Sequence, residues 1–525
     1  MNRRVSHVGY TTRGRYERRV ITGRRCYRIP RMTSLLLPGA WLATMAAASR
    51  LRPAAHKVLR VCCILVLLFS VLFSAYYVLS VHFTPPPEKV VFPNETTQLV
   101  ENRIRFFNRR LSSSLAKRYK NATLADDAGE DTWTGVLPGV HVYSAYVEQR
   151  NGAPWSDVRL IGIVARSNPI LSKKKEGLKC RVRVRSRVHV GRVEFSLVPE
   201  DHGFQFTAVF ILCMLERAFD PDCCPGVEVA LKYQAYPLTW ISVHQPRVNE
   251  GEDVVSVCVR PLFGPYDNLL QLAEFITYYS VVGVKDYSFY SYQVSREVDH
   301  FFRFLRERHK VVAHLRPWNF PVGSGLIHEQ GQLAFVQDCI YRARLSSKYV
   351  VIVDLDEFIV AKHHKTLPDA ILALEQKYSP KTTGSFNVIN QMFCLEYTPE
   401  TSLIYRGIPL LTRLYTIREK RAWQHWDRSK YIARTNATVT GGIHFVWKHA
   451  PEAKEIRLPE EDVVMHHYRR CSGLTQVGGK FLNFREFSVL QDGGQVDDIE
   501  MTRFTMDMLD HDITRSLVEL MENDV

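Results

Sequence analysis

The sequence predicts three parts in order: a single N-terminal transmembrane helix, a β-rich, sandwich-like domain, and an α/β domain on a mainly parallel sheet. Three observations carry this. Val61–Val81 is a run of 21 residues without a charge. Residues 131–250 contain short segments of alternating apolar and polar character. From about residue 252, strand-like and helix-like segments alternate, the pattern of parallel strands joined by helices that cover both faces of a sheet.

The 525 residues allow two or three domains with sizeable cores. The net charge of +15 is not spread evenly: residues 1–60 carry 14 Arg and Lys against one acid, Glu17. The other 465 residues hold 55 basic and 53 acidic side chains. The excess is a basic tail (1–60), which argues against a nucleic-acid partner for the rest of the chain. The uncharged run follows it. At about 1.5 Å per residue, such a helix spans the roughly 30 Å hydrocarbon layer. Arg50, Arg52, Lys57 and Arg60 precede the run, and the next basic residue after it is Lys89. By the positive-inside rule, the anchor (61–83) leaves the N-terminus cytosolic and the remainder luminal.

Residues 84–130 open on Thr84-Pro-Pro-Pro87, are polar, and read as an extended stem. Three glycosylation sequons, at Asn94, Asn121 and Asn436, lie beyond the anchor. So do eight cysteines, an even number that permits disulfides in an oxidising compartment. No Cys-x-x-Cys pair appears, which argues against a structural zinc site. In the β-rich region (131–250), Arg181–Val190 alternates with period two and reads as one half-buried strand with a solvated arginine face.

In the α/β region (251–525), the segment KYVVIVDLDEF, 348–358, is a buried strand that ends in Asp354, Asp356 and Glu357. Bare carboxylates at such a tip are costly to desolvate, so positive charge belongs there. In doubly wound sheets, ligands bind beyond the carboxyl ends of the strands. An Asp-x-Asp at that place suits Mg²⁺ or Mn²⁺ carrying a diphosphate. An EF-hand is excluded by ligand spacing, and a P-loop at Gly473–Lys480 by its missing Ser or Thr.

The segments 260–290, HEQGQLAFVQDCIYRAR (328–344), KYVVIVDLDEFIV (348–360), KYIARTNATVTGGIHFVWK (430–448) and VVMHHYRR (463–470) resemble, in that order, glycosyltransferase family 92. The likeness covers about 252–475 and implies a GT-A type, Rossmann-like fold, UDP-sugar donors, Mn²⁺ and inversion at the anomeric carbon. It implies that Asp354 and Asp356 ligate the metal, completed by His467 or His466. Adjacent residues on an extended segment point oppositely, so one of the two reaches it, with His467 preferred. It further implies that Arg260 and Pro261 lie where uridine is seated, and that Arg469 contacts phosphate. Asp338 and Glu274 are candidates for holding substrate. The general base is sought among Glu357, Asp462, Glu396 and Asp427. His444 and Trp447 are candidates for an acceptor platform, with Trp318, Trp423 and Trp426 as alternatives.

The expected function is transfer of galactose from UDP-galactose, with Mn²⁺ or Mg²⁺, to a glycan hydroxyl by a single-pass type II enzyme of the Golgi membrane. The resemblance points to terminal galactose or core fucose of N-glycans as acceptor. The alternatives are another UDP-sugar donor, or a membrane-anchored lectin without activity.

Overall fold

The computed structural model describes residues 94–120, 131–149, 155–172, 177–200, 202–216, 219, 226–245, 253–309, 311–473, 476–477, 480–483, 487–488 and 494–523. The basic tail, the Val61–Val81 run, the proline stretch and Asn121 lie outside them. No helix among the described residues is long and apolar enough to cross a membrane.

Two sheets organise the described chain. Strands Val312–Pro317, Asp286–Ser291, Asp253–Val259 and Ser347–Val353 lie side by side in that order, all parallel. The sheet continues through Lys430–Arg434 and Thr383–Val388, each antiparallel to the strand before it, and then Lys454–Arg457. Helices Leu269–Val281, Arg296–Arg308 and Gln332–Ala343 fall where the alternation placed them. The valine run is continuous because both faces of its strand are buried. Tyr349, Val351 and Val353 face the core that holds helix Leu269–Val281. Val350 and Ile352 face the core that holds helix Gln332–Ala343.

The β-rich region is a barrel rather than the expected sandwich. Its eight strands run in one sheet, and the last, Ile241–His244, pairs with Val140–Gln149, the second, which closes the sheet on itself. Two of its neighbouring strand pairs bring their backbones to close quarters at glycines. A Cβ on Gly162 would lie 2.2 Å from the His141 carbonyl oxygen, and one on Gly191 2.6 Å from that of Met214. The predicted Arg181–Val190 strand is instead a hairpin, Lys179–Val184 and Arg187–Leu197, turning at Arg185 with φ 54°. The alternation therefore buries Val182 and Val184 but leaves Val188 and Val190 half exposed.

The stem is not extended throughout. Asn94–Arg118 is a helix, and Val100, Phe107, Leu111 and Leu115 along it are buried in the same core as helix Leu269–Val281. Asn108 fixes the join: its Oδ1 accepts from Leu270 N at 2.8 Å, and its Nδ2 donates to Asn268 Oδ1 at 3.0 Å. Among the described residues three disulfides form, Cys180–Cys213, Cys258–Cys339 and Cys394–Cys471. Asn436 is exposed between buried Thr435 and Ala437.

His449 lies against the sheet because residue 384 is glycine; a Cβ there would sit 2.3 Å from the imidazole. Its Nε2 is 2.9 Å from Ser385 Oγ, and burial lowers its pKa from 6.5 to about 4. The unfolded chain binds this proton more readily, so stability is full above about pH 6.5 and falls as pH drops towards 4. Thermal unfolding followed from pH 7 to 4 is expected to show a shallower acid loss in His449→Gln, by on the order of 1 kcal/mol after allowance for solvent screening.

Candidate active site

The strand Ser347–Val353 ends in a turn whose geometry comes from its own acids. Asp354 N donates to Glu357 Oε2 at 2.7 Å, and Glu357 N donates back to the Asp354 carbonyl at 3.2 Å. The chain then enters strand Glu357–Ala361, paired antiparallel with Val463–Arg469 so that Glu357 faces His467 and Phe358 faces His466.

Positive charge does sit at the strand tip, and it comes from the neighbouring strands. Lys430 opens the strand paired with Ser347–Val353, and its Nζ lies 3.2 Å from both Asp354 Oδ2 and Glu357 Oε2. Arg260 follows the strand on the other side, with Nε 3.9 Å from Asp354 Oδ1 and Nη1 3.6 Å from Glu329 Oε2. Burial pushes the Asp354 pKa up, but Lys430 and Arg260 outweigh it and hold the carboxyl well below its usual range. Burial likewise works against Asp356, and His467 prevails, leaving it ionised. For Glu357 burial wins and raises the pKa despite Lys430.

His467 meets the site as expected. Its Nε2 lies 3.4 Å from Asp356 Oδ2 and is buried without a hydrogen bond, while its Nδ1 lies 3.1 Å from the Asn390 amide nitrogen, which orients the ring. His466 is on the opposite face, fully buried beside Phe393, and is withdrawn as a ligand. The period-two geometry of the strand allows one of the pair and no more.

A cavity of about 490 Å³ opens in front of this turn. Asp354, Glu357, Arg260, His444, His467 and Arg469 line it, as does Asp427. His444 is held by its Nδ1 against the Ser429 carbonyl at 3.0 Å; burial and then Lys430 lower its pKa to about 4, so it is neutral at pH 7. Lys430, Arg428, His328, Glu329 and the barrel's Glu200 and His202 also line the cavity and were missed by motif reading. Lys430 alone left a signal, a lysine directly before the apolar Tyr431-Ile-Ala433 of its strand.

Several expected roles move elsewhere. Pro261 is buried beside Arg260 and is not among the cavity-lining residues. Asp338 is fully buried and accepts from Ser144 Oγ, Tyr146 OH and Tyr290 OH at 2.6 Å each, and from Arg342 at 3.0 Å. It ties the barrel to the sheet and is not among the cavity-lining residues. Glu274 caps the turn Leu411–Leu414, accepting from Leu411 N and Thr412 N at 3.1 and 2.8 Å. Asp462 pairs with Lys377 at 2.6 Å beyond the far end of strand Val463–Arg469, away from His467. Glu396 accepts from Cys471 N and Ser472 N at 3.0 and 2.9 Å. Glu357, though it lines the cavity, is 2% exposed and engaged by Lys430 and Asp354 N, so it braces the turn. Trp318 is wholly buried.

A doubly wound sheet with acidic residues at a strand end and basic groups around the same cavity is the frame of an enzyme that handles a phosphorylated donor. Residues 253–515 match the model of glycosyltransferase family 92. The chain belongs to that family and is a glycosyltransferase. It is 24% identical over 318 residues to beta-1,4-galactosyltransferase galt-1 of Caenorhabditis elegans, across 58% of this chain and 67% of that protein. Among solved structures, one titled as a mycobacterial protein shares 12% identity at TM-score 0.21, covering 48% of this chain and 74% of that one. Glucosyl-3-phosphoglycerate synthase from Mycobacterium tuberculosis shares 14% at TM-score 0.19, over 35% and 59%. Structural likeness at these scores carries no argument.

Proposed function

We propose that this glycosyltransferase is a type II enzyme of the Golgi membrane that transfers galactose from UDP-galactose, with inversion, to a hydroxyl of an N-glycan. Terminal galactose and core fucose are the proposed acceptors. The observation that carries the reading is the meeting of Asp354, Asp356 and His467 at one strand end with Arg260, Lys430 and Arg469 around the same site. The galactosyltransferase name of the C. elegans relative supports the donor. The anchor-like Val61–Val81, the three disulfides and the exposed Asn436 support a luminal catalytic part.

The donor set fits a divalent cation: two carboxylates held ionised and a buried imidazole nitrogen that makes no hydrogen bond and lies 3.4 Å from one of them. Asp354, Asp356 and His467 would hold Mn²⁺ or Mg²⁺, which when bound offsets the charge of the departing diphosphate. Arg260 and Arg469 bind and orient that diphosphate from the cavity wall. Lys430 keeps Asp354 and Glu357 compensated in their buried turn. Asp427 takes the proton from the acceptor hydroxyl. It lines the cavity, burial raises its pKa, and its carboxylate accepts no hydrogen bond from the described residues. Of the other three acids considered for this role, Glu357 is engaged by Lys430 and Asp354 N, and Asp462 and Glu396 are paired away from the cavity.

Full-length protein in detergent is incubated with a panel of UDP-sugars and Mn²⁺, with and without pooled N-glycans. Acceptor-stimulated UDP release from UDP-galactose supports the reading, and glycan binding without release from any donor leaves a lectin. Asp427→Asn is expected to lower kcat by about 10²- to 10⁴-fold, with little change in the KM for UDP-galactose.

A further inference from the structure

Among the described residues, the barrel lines the cavity at one turn. Between strands Arg187–Leu197 and Phe206–Leu215 its chain turns through Glu200 and His202, both cavity-lining and both in left-handed backbone, with φ 74° and 51°. Non-glycine residues hold that conformation only where their surroundings enforce it. Here they do. Glu200 Oε2 accepts from Trp447 Nε1 at 3.1 Å and from Ile443 N at 3.3 Å, and the His202 ring stacks on His328 at 3.8 Å.

The partner of Glu200 belongs to an aromatic ledge. Trp447 packs on Phe445 at 4.7 Å, and Phe445 on Trp426 at 5.9 Å. Both indoles remain exposed, Trp447 at 42% and Trp426 at 46%. Trp426 has one face covered by the Arg457 guanidinium at 3.8 Å, whereas Trp447 is the indole hydrogen-bonded to the barrel's Glu200. The ledge is built in. A Cβ on residue 442 would lie 2.7 Å from Trp447 Nε1, and only glycine lets the indole cross the backbone there. Exposed aromatics fixed by hydrogen bonds at a cavity rim mark a binding surface.

We infer that this ledge is the acceptor subsite: a pyranose ring of the acceptor glycan packs its C–H face on Trp447, and Glu200 of the barrel accepts from the ring's hydroxyls. An indole face beside a carboxylate matches a sugar, which has one apolar face and a rim of donors. Trp426, at one end of the ledge, lines the same cavity as the proposed base Asp427. The barrel thereby takes part in choosing the acceptor. The inference rests on the transferase reading given above.

Its test is the full-length enzyme with Trp447→Ala and Trp447→Tyr, assayed over a range of N-glycan acceptor at fixed UDP-galactose. Trp447→Ala is expected to raise the acceptor KM tenfold or more, with the UDP-galactose KM within twofold, and Trp447→Tyr to recover most of the loss. Quenching of tryptophan fluorescence by the glycan pool, without donor, is expected in the wild type and weakened in Trp447→Ala. An acceptor KM in Trp447→Ala equal to that of an active wild type would overturn the subsite and leave the transferase standing. Wild type that releases no UDP from any donor sinks the transferase reading, and fluorescence then judges the ledge alone: quenching unchanged in Trp447→Ala overturns it.

Discussion

Asp356→Ala is expected to reduce metal-dependent transfer by about 10³-fold or more. A Lewis-acid contact is worth several kcal/mol of transition-state stabilisation, and each 1.4 kcal/mol is about tenfold in rate. Asp356 sits where that loss is undiluted. Its carboxylate is held ionised by His467 against the cost of burial, and Tyr468 N, donating to its carbonyl at 2.9 Å, locks the backbone beside it. Asp356→Asn, which keeps the shape and loses the charge, is expected to fall nearly as far. Activity is measured against Mn²⁺ concentration alongside the melting temperature. A folded Asp356→Ala protein with wild-type turnover and metal dependence would end the metal assignment.

The largest stability effect is expected at Asp338. Alanine there removes the acceptor of three hydroxyls and leaves the Arg342 guanidinium with Asp131, at 2.6 Å, as its remaining acid. Breaking a buried charge pair from one side costs about 3–5 kcal/mol, a large part of a typical folding free energy. Burial raises the Asp338 pKa, but Arg342 and the hydroxyls hold it at about 2, against an ordinary 3.8. The sign follows: the unfolded chain protonates first, so this stabilisation is complete above about pH 4 and is lost as pH falls towards 2. Denaturant unfolding of the detergent-solubilised Asp338→Ala protein is expected to show the loss, with little folded protein recovered. A substrate-binding role would instead raise a KM and leave the unfolding midpoint in place, which distinguishes the two readings of this residue.

Much of the α/β half was legible because its signals are local. A strand buried on both faces needs an unbroken apolar run, and 349–353 has one; a helix against a sheet needs a stripe, and Arg296–Arg308 has one in Val298, Phe301, Phe302 and Leu305. The carboxylates at the strand tip were legible for the same reason, since nothing in a sheet interior tolerates them without partners. The barrel was harder. Alternation tells which residues of a strand face inward, but not which strand closes on which, and the pairing of Ala145 with Val243 spans almost a hundred residues of sequence. The hairpin at Arg185 carries no glycine or proline to announce it. The stem helix is polar overall, and its buried stripe is evident only with its partner helices in place.

The site divides along the same line. Asp354, Asp356 and the rule that one of His466 and His467 reaches them follow from strand ends and strand periodicity, which are properties of the chain alone; the pairing with strand Glu357–Ala361 selects His467. Asp338 and Glu274 could not be judged that way. An acid on a helix reads identically whether it meets substrate, solvent or three hydroxyls from another sheet. The charge that answers Asp354 arrives from Lys430, 76 positions away, because antiparallel pairing sets it beside Val353. Periodicity and charge, acting over a few residues, determined the elements and the acidic strand tip. Tertiary packing decided which distant cation, indole or hydroxyl each acid meets, because those partners come together only when the sheets close.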